Sequence, residues 1–223
     1  QCLQAQVVLA ADGGLSRLHG MGGLHAETFD YQQTALIANI EAELAHAGRA
    51  YERFTPTGPL ALLPLTRQRM SLVWTLSAEE AKRLAAAQES DFLQELQVAF
   101  GWRLGKLRKV GARTTFPLLR VSAHCRRQGQ ILLMGNASAT LHPIAGQGFN
   151  LALRDLMALA THVQMPSNEP ALSAASLARF VDERALDTRQ VIATTHNLVQ
   201  LFSNDYPMLS SARALSLGQS PRA

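Results

Sequence analysis

The chain opens on a continuous apolar run at 7–11, Val-Val-Leu-Ala-Ala, which stops at Asp12-Gly13-Gly14. Such a run closed by a turn signal predicts a buried strand, and Ser16 just beyond it offers an N-cap for a short helix. Between 34 and 76 the pattern shortens to β-type segments at 34–40, 49–54, 60–65 and 70–75. They are separated by Ala47-Gly48, Pro56-Thr57-Gly58-Pro59 and 66–69, which predicts an antiparallel sheet. Ser77 followed by Glu80 makes a capping box, and Leu84, Phe92, Leu96 and Phe100 then recur at helical spacing. A helix to residue 100, broken near Ser90, is expected. Strands follow at 114–118 and, short and wholly apolar, at 131–134. A helix is expected over 149–163, and a long one over 172–202 beyond a linker at 166–170, ended by Pro207. Strands fill the middle of the chain and helices its end.

Composition sharpens this picture mainly by exclusion. Of the 223 residues 47% are hydrophobic, enough for one large domain or two small ones. Lys and Arg number 21 against 17 Asp and Glu, and the excess is spread along the chain, so nothing resembles a basic arm for nucleic acid. Cys2 and Cys125 form no CxxC pair, and the seven His lack the i, i+4 spacing of helical metal ligands. Neither a disulfide framework nor a metal centre is expected. There is no GxSxG, so acyl hydrolysis finds no support. No apolar run is long enough to cross a bilayer and no signal peptide is visible, from which a cytoplasmic protein is expected. The start on Gln1, almost directly in a strand, reads as a fragment.

The segment richest in chemistry is 131–148: strand, small-residue turn, loop, then Gly146-Gln147-Gly148 at a helix start. Two glycines flanking Gln147 would let a planar ligand or a phosphate approach the main chain. A helix beginning near Phe149 would direct its partly positive end at a group that becomes anionic.

The run Gly135-Asn136-Ala137-Ser138, His142-Pro143, Gly146-Gln147-Gly148, Asn150, Arg154-Asp155 resembles the second flavin motif of the single-component FAD-dependent aromatic hydroxylases, written GDAAH, then P, then GQGxNxGxxD. Ala11-Asp12-Gly13 with Ser16 resembles the companion DG motif of that family. Within the family the chain is most similar to the 2-polyprenyl-6-methoxyphenol hydroxylases of ubiquinone biosynthesis. The residues that carry this likeness are 48–54 (GRAYERF), 58–65 (GPLALLPL), 71–74 (SLVW) and 99–106 (AFGWRLGK).

The resemblance implies an α/β to α+β fold of the p-hydroxybenzoate-hydroxylase type: 1–27 a returning piece of the FAD domain, 28–121 an antiparallel-sheet substrate domain, and 122–223 an FAD-domain strand, helix and carboxy-terminal helices. It implies an FAD enzyme that takes electrons from NAD(P)H and hydroxylates a polyprenylated phenol with molecular oxygen by way of a flavin C4a-hydroperoxide; the cofactor carries the hard chemistry. Gly135 and Asn136 would meet the ribityl and pyrophosphate region, and Pro143 the reactive edge of the flavin. Gly146, Gln147, Gly148 and Asn150 would face the pyrimidine side, with Asp12 and Gly13 beside the phosphates. Three departures stand out. Asn136 replaces the family's Asp, so no charge is available there. His19 stands where an Arg is common, with Arg17 nearby. No GxGxxG follows a strand anywhere in the chain, so the AMP half of the FAD site is expected upstream and the piece by itself is expected to be inactive.

Leu60, Leu62, Phe116 and Pro117 are candidates for an apolar pocket around the prenylated ring, set against an ordinary core role. His142 reads as a loop-fixing residue, and no residue is assigned as catalytic. Arg103, Lys106, Arg108, Lys109 and Arg113 form a basic cluster for which a solvated face is set against contact with anionic lipid. The helical stripe Val191, Thr195, Leu198, Val199 and Phe202 is expected to pack on the flavin domain, with a peripheral membrane role or contact with other ubiquinone-biosynthesis proteins left open. Two rival functions remain: a sister hydroxylase acting at another ring position, and a non-catalytic fragment serving as an assembly module.

Overall fold

A computed structural model describes residues 4–21, 23–164 and 172–202. The chain divides into two compact units, residues 1–31 with 119–198 and residues 32–118 with 199–223. The divisions fall at 31/32 and 118/119, a few residues from the expected 27/28 and 121/122, and at 198/199, inside the expected 122–223 segment. The strands there, β2 (Ala26–Ala42) and β7 (Thr114–Ala123), run unbroken from one unit into the other.

In the first unit β1 (Val8–Ala10) pairs in parallel with β9 (Ile131–Leu133), in the register Val8 to Ile131 and Ala10 to Leu133. The two-residue β8 (Arg127–Gln128) lies antiparallel on the other side of β9. The apolar run at 7–11 therefore does form a strand, but only Ala10 is buried. Val8 and Leu9 stay exposed, because β1 is the outer strand of this three-stranded sheet. The short helix expected after Ser16 is a series of turns; the Ser16 hydroxyl instead caps locally, accepting from the Leu18 amide at 3.2 Å.

Two helices complete the unit, α3 (Gln147–Gln164) and α4 (Ala174–Phe202) as far as Leu198. Leu132 and Met134 of the sheet end pack with Leu159 of α3 and Leu177 and Phe180 of α4 in one core cluster. Burying such side chains stabilises by about 1.5–3 kcal/mol each. The polar tie between the helices is ionic: Asp155 on α3 accepts from Arg126 and from Arg184 of α4, the latter at 2.7 Å, with Asp155 almost wholly enclosed. Arg126 also donates to the Thr188 hydroxyl at 3.2 Å. The linker at 166–170, the helix end at Pro207 and Cys2 lie outside the described residues.

The second unit is an antiparallel meander: β2, then β5 (Arg69–Leu76), β4 (Gly58–Pro64) and β3 (Tyr51–Thr55), with β6 (Leu107–Val110) paired to the far end of β2. Alternation puts Leu36, Ala38, Ile40, Leu60, Leu62, Met70, Leu72 and Trp74 on one face. This face is covered by α1 (Ala78–Ala86) and α2 (Glu89–Phe100) through Leu84, Phe92, Leu96 and Phe100. The Ser77 hydroxyl accepts from the Glu80 amide at 3.2 Å, as the capping box predicts. The break between the helices lies at Ala87–Gln88, just ahead of the expected Ser90, where both residues adopt extended backbone.

Candidate functional site

Parallel pairing of β1 with β9 places the carboxy ends of two strands side by side. The Met134 amide donates to the Ala10 carbonyl at 2.9 Å, so the Asp12–Gly13 loop and the Gly135–Asn136 turn leave the sheet together. Crevices at the carboxy ends of parallel strands are where α/β sheets bind ligands. Two further bonds fix the loops: His19 Nε2 meets the Ala137 carbonyl at 2.7 Å, and the Thr140 hydroxyl donates to the Asn136 carbonyl at 3.0 Å. His19, which stands where the family often has Arg, is thus an anchor between the two loops.

Gly13, Gly135 and Gly146 all have left-handed backbone, with φ of 98°, 55° and 59°. Nothing lies within 4 Å of where a Cβ would stand at any of them, nor at Gly148. Their open side is free for a ligand to come against the main chain. Gly14 differs: a Cβ there would sit 2.3 Å from the Thr140 hydroxyl oxygen, so its lack of a side chain serves packing between the loops. Asp12, exposed, accepts from the Arg17 amide at 3.1 Å, and its hydrogen bond with the Ser16 hydroxyl holds its carboxyl below the usual range. Arg17 thus contributes its backbone here.

His142, Pro143 and the 3-10 turn Ile144–Gly146 lead into α3. The His142 ring is buried and its Nδ1 accepts from the Ile144 amide at 3.1 Å, which braces the loop. Burial pushes its pKa down to about 4, so the ring is neutral near pH 7. Tyr31 packs edge-on against it at 5.1 Å and bonds His196 Nδ1 at 3.2 Å. Pro143 and Gly146 are exposed, and so are Phe149 and Asn150 in the first turn of α3. That turn carries no acidic side chain, so the positive end of the helix is unopposed by its own residues.

All nine expected cofactor residues, Asp12, Gly13, Gly135, Asn136, Pro143, Gly146, Gln147, Gly148 and Asn150, therefore belong to the first unit. The four substrate candidates belong to the second and divide. Phe116 and Pro117 are exposed, whereas Leu60 and Leu62 are completely buried in the meander's core. The physical reason is strand parity: Ala61 and Leu63, the alternate positions of β4, point to the sheet's other face, where Leu63 is 43% exposed. Missed in the sequence were Thr140 and the Arg126–Asp155–Arg184 tie. Asp155 ends the flavin motif, yet its partners show it cross-linking helices; only the adjacent arginines at 126 and 127 hinted at a charge for it.

The family described as "FAD binding domain" matches residues 1–195. The chain belongs to this FAD-binding family. FAD is the cofactor the family holds, and the open glycine positions and unopposed helix start suit it. The "Ubiquinone hydroxylase UbiL" of Rhodospirillum rubrum is 37% identical over 221 residues, covering 98% of this chain and 51% of that protein. The "3-demethoxyubiquinol 3-hydroxylase" of Escherichia coli is 30% identical over 230 residues, covering 100% and 57%. The chain spans about half the length of these relatives. Among solved structures, PqsL from Pseudomonas aeruginosa, a probable FAD-dependent monooxygenase, superposes with a TM-score of 0.71 at 22% identity, over 89% of this chain and 56% of that one. Klebsiella pneumoniae HpxO complexed with FAD and uric acid gives 0.72 at 16% identity, over 96% and 56%. These two likenesses establish the fold, mixed α/β of the family type.

Proposed function

We propose that the protein to which this chain belongs is an FAD-dependent, NAD(P)H-using hydroxylase of a polyprenylated phenol in ubiquinone biosynthesis, with 2-polyprenyl-6-methoxyphenol as the substrate. The observation that carries the proposal is the paired-loop rim: Asp12–Gly13 and Gly135–Asn136 at adjacent carboxy ends of parallel strands, with the glycine-flanked start of α3 beside them. Its support is the 37% identity to a ubiquinone hydroxylase along nearly the whole chain.

In this reading Gly135 and Asn136 receive the ribityl and pyrophosphate part of FAD, and Asn136 hydrogen-bonds a hydroxyl where an acid is common. Asp12 and Gly13 lie by the phosphates and the path of the reductant. The amides of Gly146, Gln147, Gly148 and Asn150 hold the pyrimidine side, where the helix end favours the negative charge of a reduced ring. Bound FAD would supply the activation of oxygen; the chain's residues bind and orient it. Neutral His142 keeps Pro143 in place. The phenol lies against an apolar surface to which Phe116 and Pro117 contribute.

The test uses the complete protein with FAD, NADPH or NADH, and a short-chain prenylated phenol. Stoichiometric flavin and incorporation of one oxygen atom from molecular oxygen are expected; protein without flavin would overturn the reading. A sister reaction at another ring position is favoured by the 30% identity to a 3-demethoxyubiquinol 3-hydroxylase. The hydroxylated carbon in the product, located by NMR, decides between the two.

A further inference from the structure

The outer side of α2 and the loop after it carry an apolar and cationic patch that the cofactor rim does not use. Val98 is 80% exposed and Trp102 70% exposed, while the other indole in the chain, Trp74, is 6% exposed in the core. Leu44, also exposed, lies against the adjoining Gly105 turn. Beside Trp102 a groove of about 720 Å³ is lined by apolar Leu93, Val98, Trp102 and Leu107 together with polar residues that include Glu89 and Lys106.

The charges around it are unequally satisfied. Arg108 pairs with Glu43 at 2.9 Å and Lys109 with Glu41 at 3.6 Å, and Glu89 accepts from the Val110 amide. Arg103 and Lys106 are exposed and hold no ion pair among the described residues. Glu43 faces both Arg108 and Lys106, and Glu89 on the groove meets only a backbone amide, yet with Arg103, Lys106, Arg108 and Lys109 along 103–109 the cations outnumber the nearby acids Glu41, Glu43 and Glu89 beside the exposed indole.

We propose that this patch is the surface by which the protein docks on an anionic lipid bilayer. An indole and a valine that stand clear of the fold gain little in water. At the headgroup level the indole's amphipathic ring is favoured, and neighbouring cations meet lipid phosphates. The groove between α2 and β6 accommodates an apolar chain beside the same headgroups. This rests on the proposed function, since a polyprenylated phenol is dissolved in the bilayer and must be met there. The docking element is thus α2 and its loop; of the α4 stripe, Thr195 and Val199 are buried and Val191 and Leu198 half-buried.

The test is co-sedimentation of the complete flavoprotein with vesicles of phosphatidylglycerol in phosphatidylcholine, against phosphatidylcholine alone. Binding to the anionic vesicles that falls with added salt is expected, with about a tenfold or greater loss in the Arg103→Glu/Lys106→Glu variant. Tryptophan emission should shift to the blue with anionic vesicles, and the shift should vanish in Trp102→Phe. Flavin content and turnover of a soluble short-chain phenol should be unchanged in both variants. Should the double reversal lose flavin, Arg103→Gln/Lys106→Gln replaces it with a smaller loss expected. Equal sedimentation of wild type and charge variants, or no shift at Trp102, overturns the proposal. So does a wild type that ignores vesicles while a protein partner requires Trp102. A protein that turns over soluble phenol but ignores vesicles sinks the docking surface alone; one that binds vesicles yet lacks flavin sinks the function alone.

Discussion

Gly146 combines a left-handed φ of 59° with open space on its Cβ side. Gly146→Val, and Gly148→Val in the helix start, would place a branched side chain where the ligand comes closest, with backbone strain added at 146. Both variants of the complete protein are expected to fold and to purify without flavin, read from absorbance per protein; normal flavin content would refute the placement. His142 yields a pH prediction. Its folded pKa of about 4 lies below the ordinary 6.5, so below pH 6.5 the unfolded chain binds a proton that the folded one refuses. Stability is therefore complete above 6.5 and falls as pH drops towards 4, by about 3 kcal/mol in all. Denaturant melts across that window should show the slope, and His142→Asn should flatten it. The burial that produces this slope depends on the loop fold, which is why His142 reads from sequence only as a loop-fixing residue next to a proline.

At the scale of elements, alternation and turn residues made the meander legible. All four of its expected strands exist, because short half-buried strands announce themselves by period and punctuation. What alternation could not supply was the direction of each face. Leu60 and Leu62 share a parity with Leu36 and Trp74, and only the helices laid on that face by Leu84 and Phe92 decide that it is the core. Leu60→Ala should accordingly lower stability by about 2–5 kcal/mol without changing the KM of the folded enzyme, whereas Phe116→Ala should raise KM and leave stability nearly unchanged. The reverse outcome would restore Leu60 as a substrate contact. β6 escaped the sequence reading because Arg108 and Lys109 hid its strand pattern among charges. The tie of α3 to α4 escaped too, since Asp155, Arg126 and Arg184 are distant in sequence. Asp155→Asn would leave the buried Arg126 guanidinium without its carboxylate, while Arg184 keeps Asp187, and a loss of about 3–5 kcal/mol in denaturant unfolding is expected. A loss under 1 kcal/mol would show the triad to be dispensable.

For the molecule as a whole, two short motifs in the right order carried more information than composition or periodicity. Each alone is a turn beside a strand; together they name a family, and the chain's match over residues 1–195 agrees with that reading. Their proximity in space is beyond sequence, because it is made by the β1 to β9 pairing and by contacts such as His19 to the Ala137 carbonyl, 118 positions apart. That separation has a kinetic consequence. The meander from 51 to 76 closes through neighbouring hairpins, but the two loops of the rim meet only after the chain between them has been gathered in, a late event on loop-closure grounds. In refolding from denaturant, tryptophan fluorescence from Trp74 should recover in a fast phase and flavin capture in a slower one. A change that weakens the β1 to β9 pairing should then delay cofactor uptake while leaving the first phase as it was.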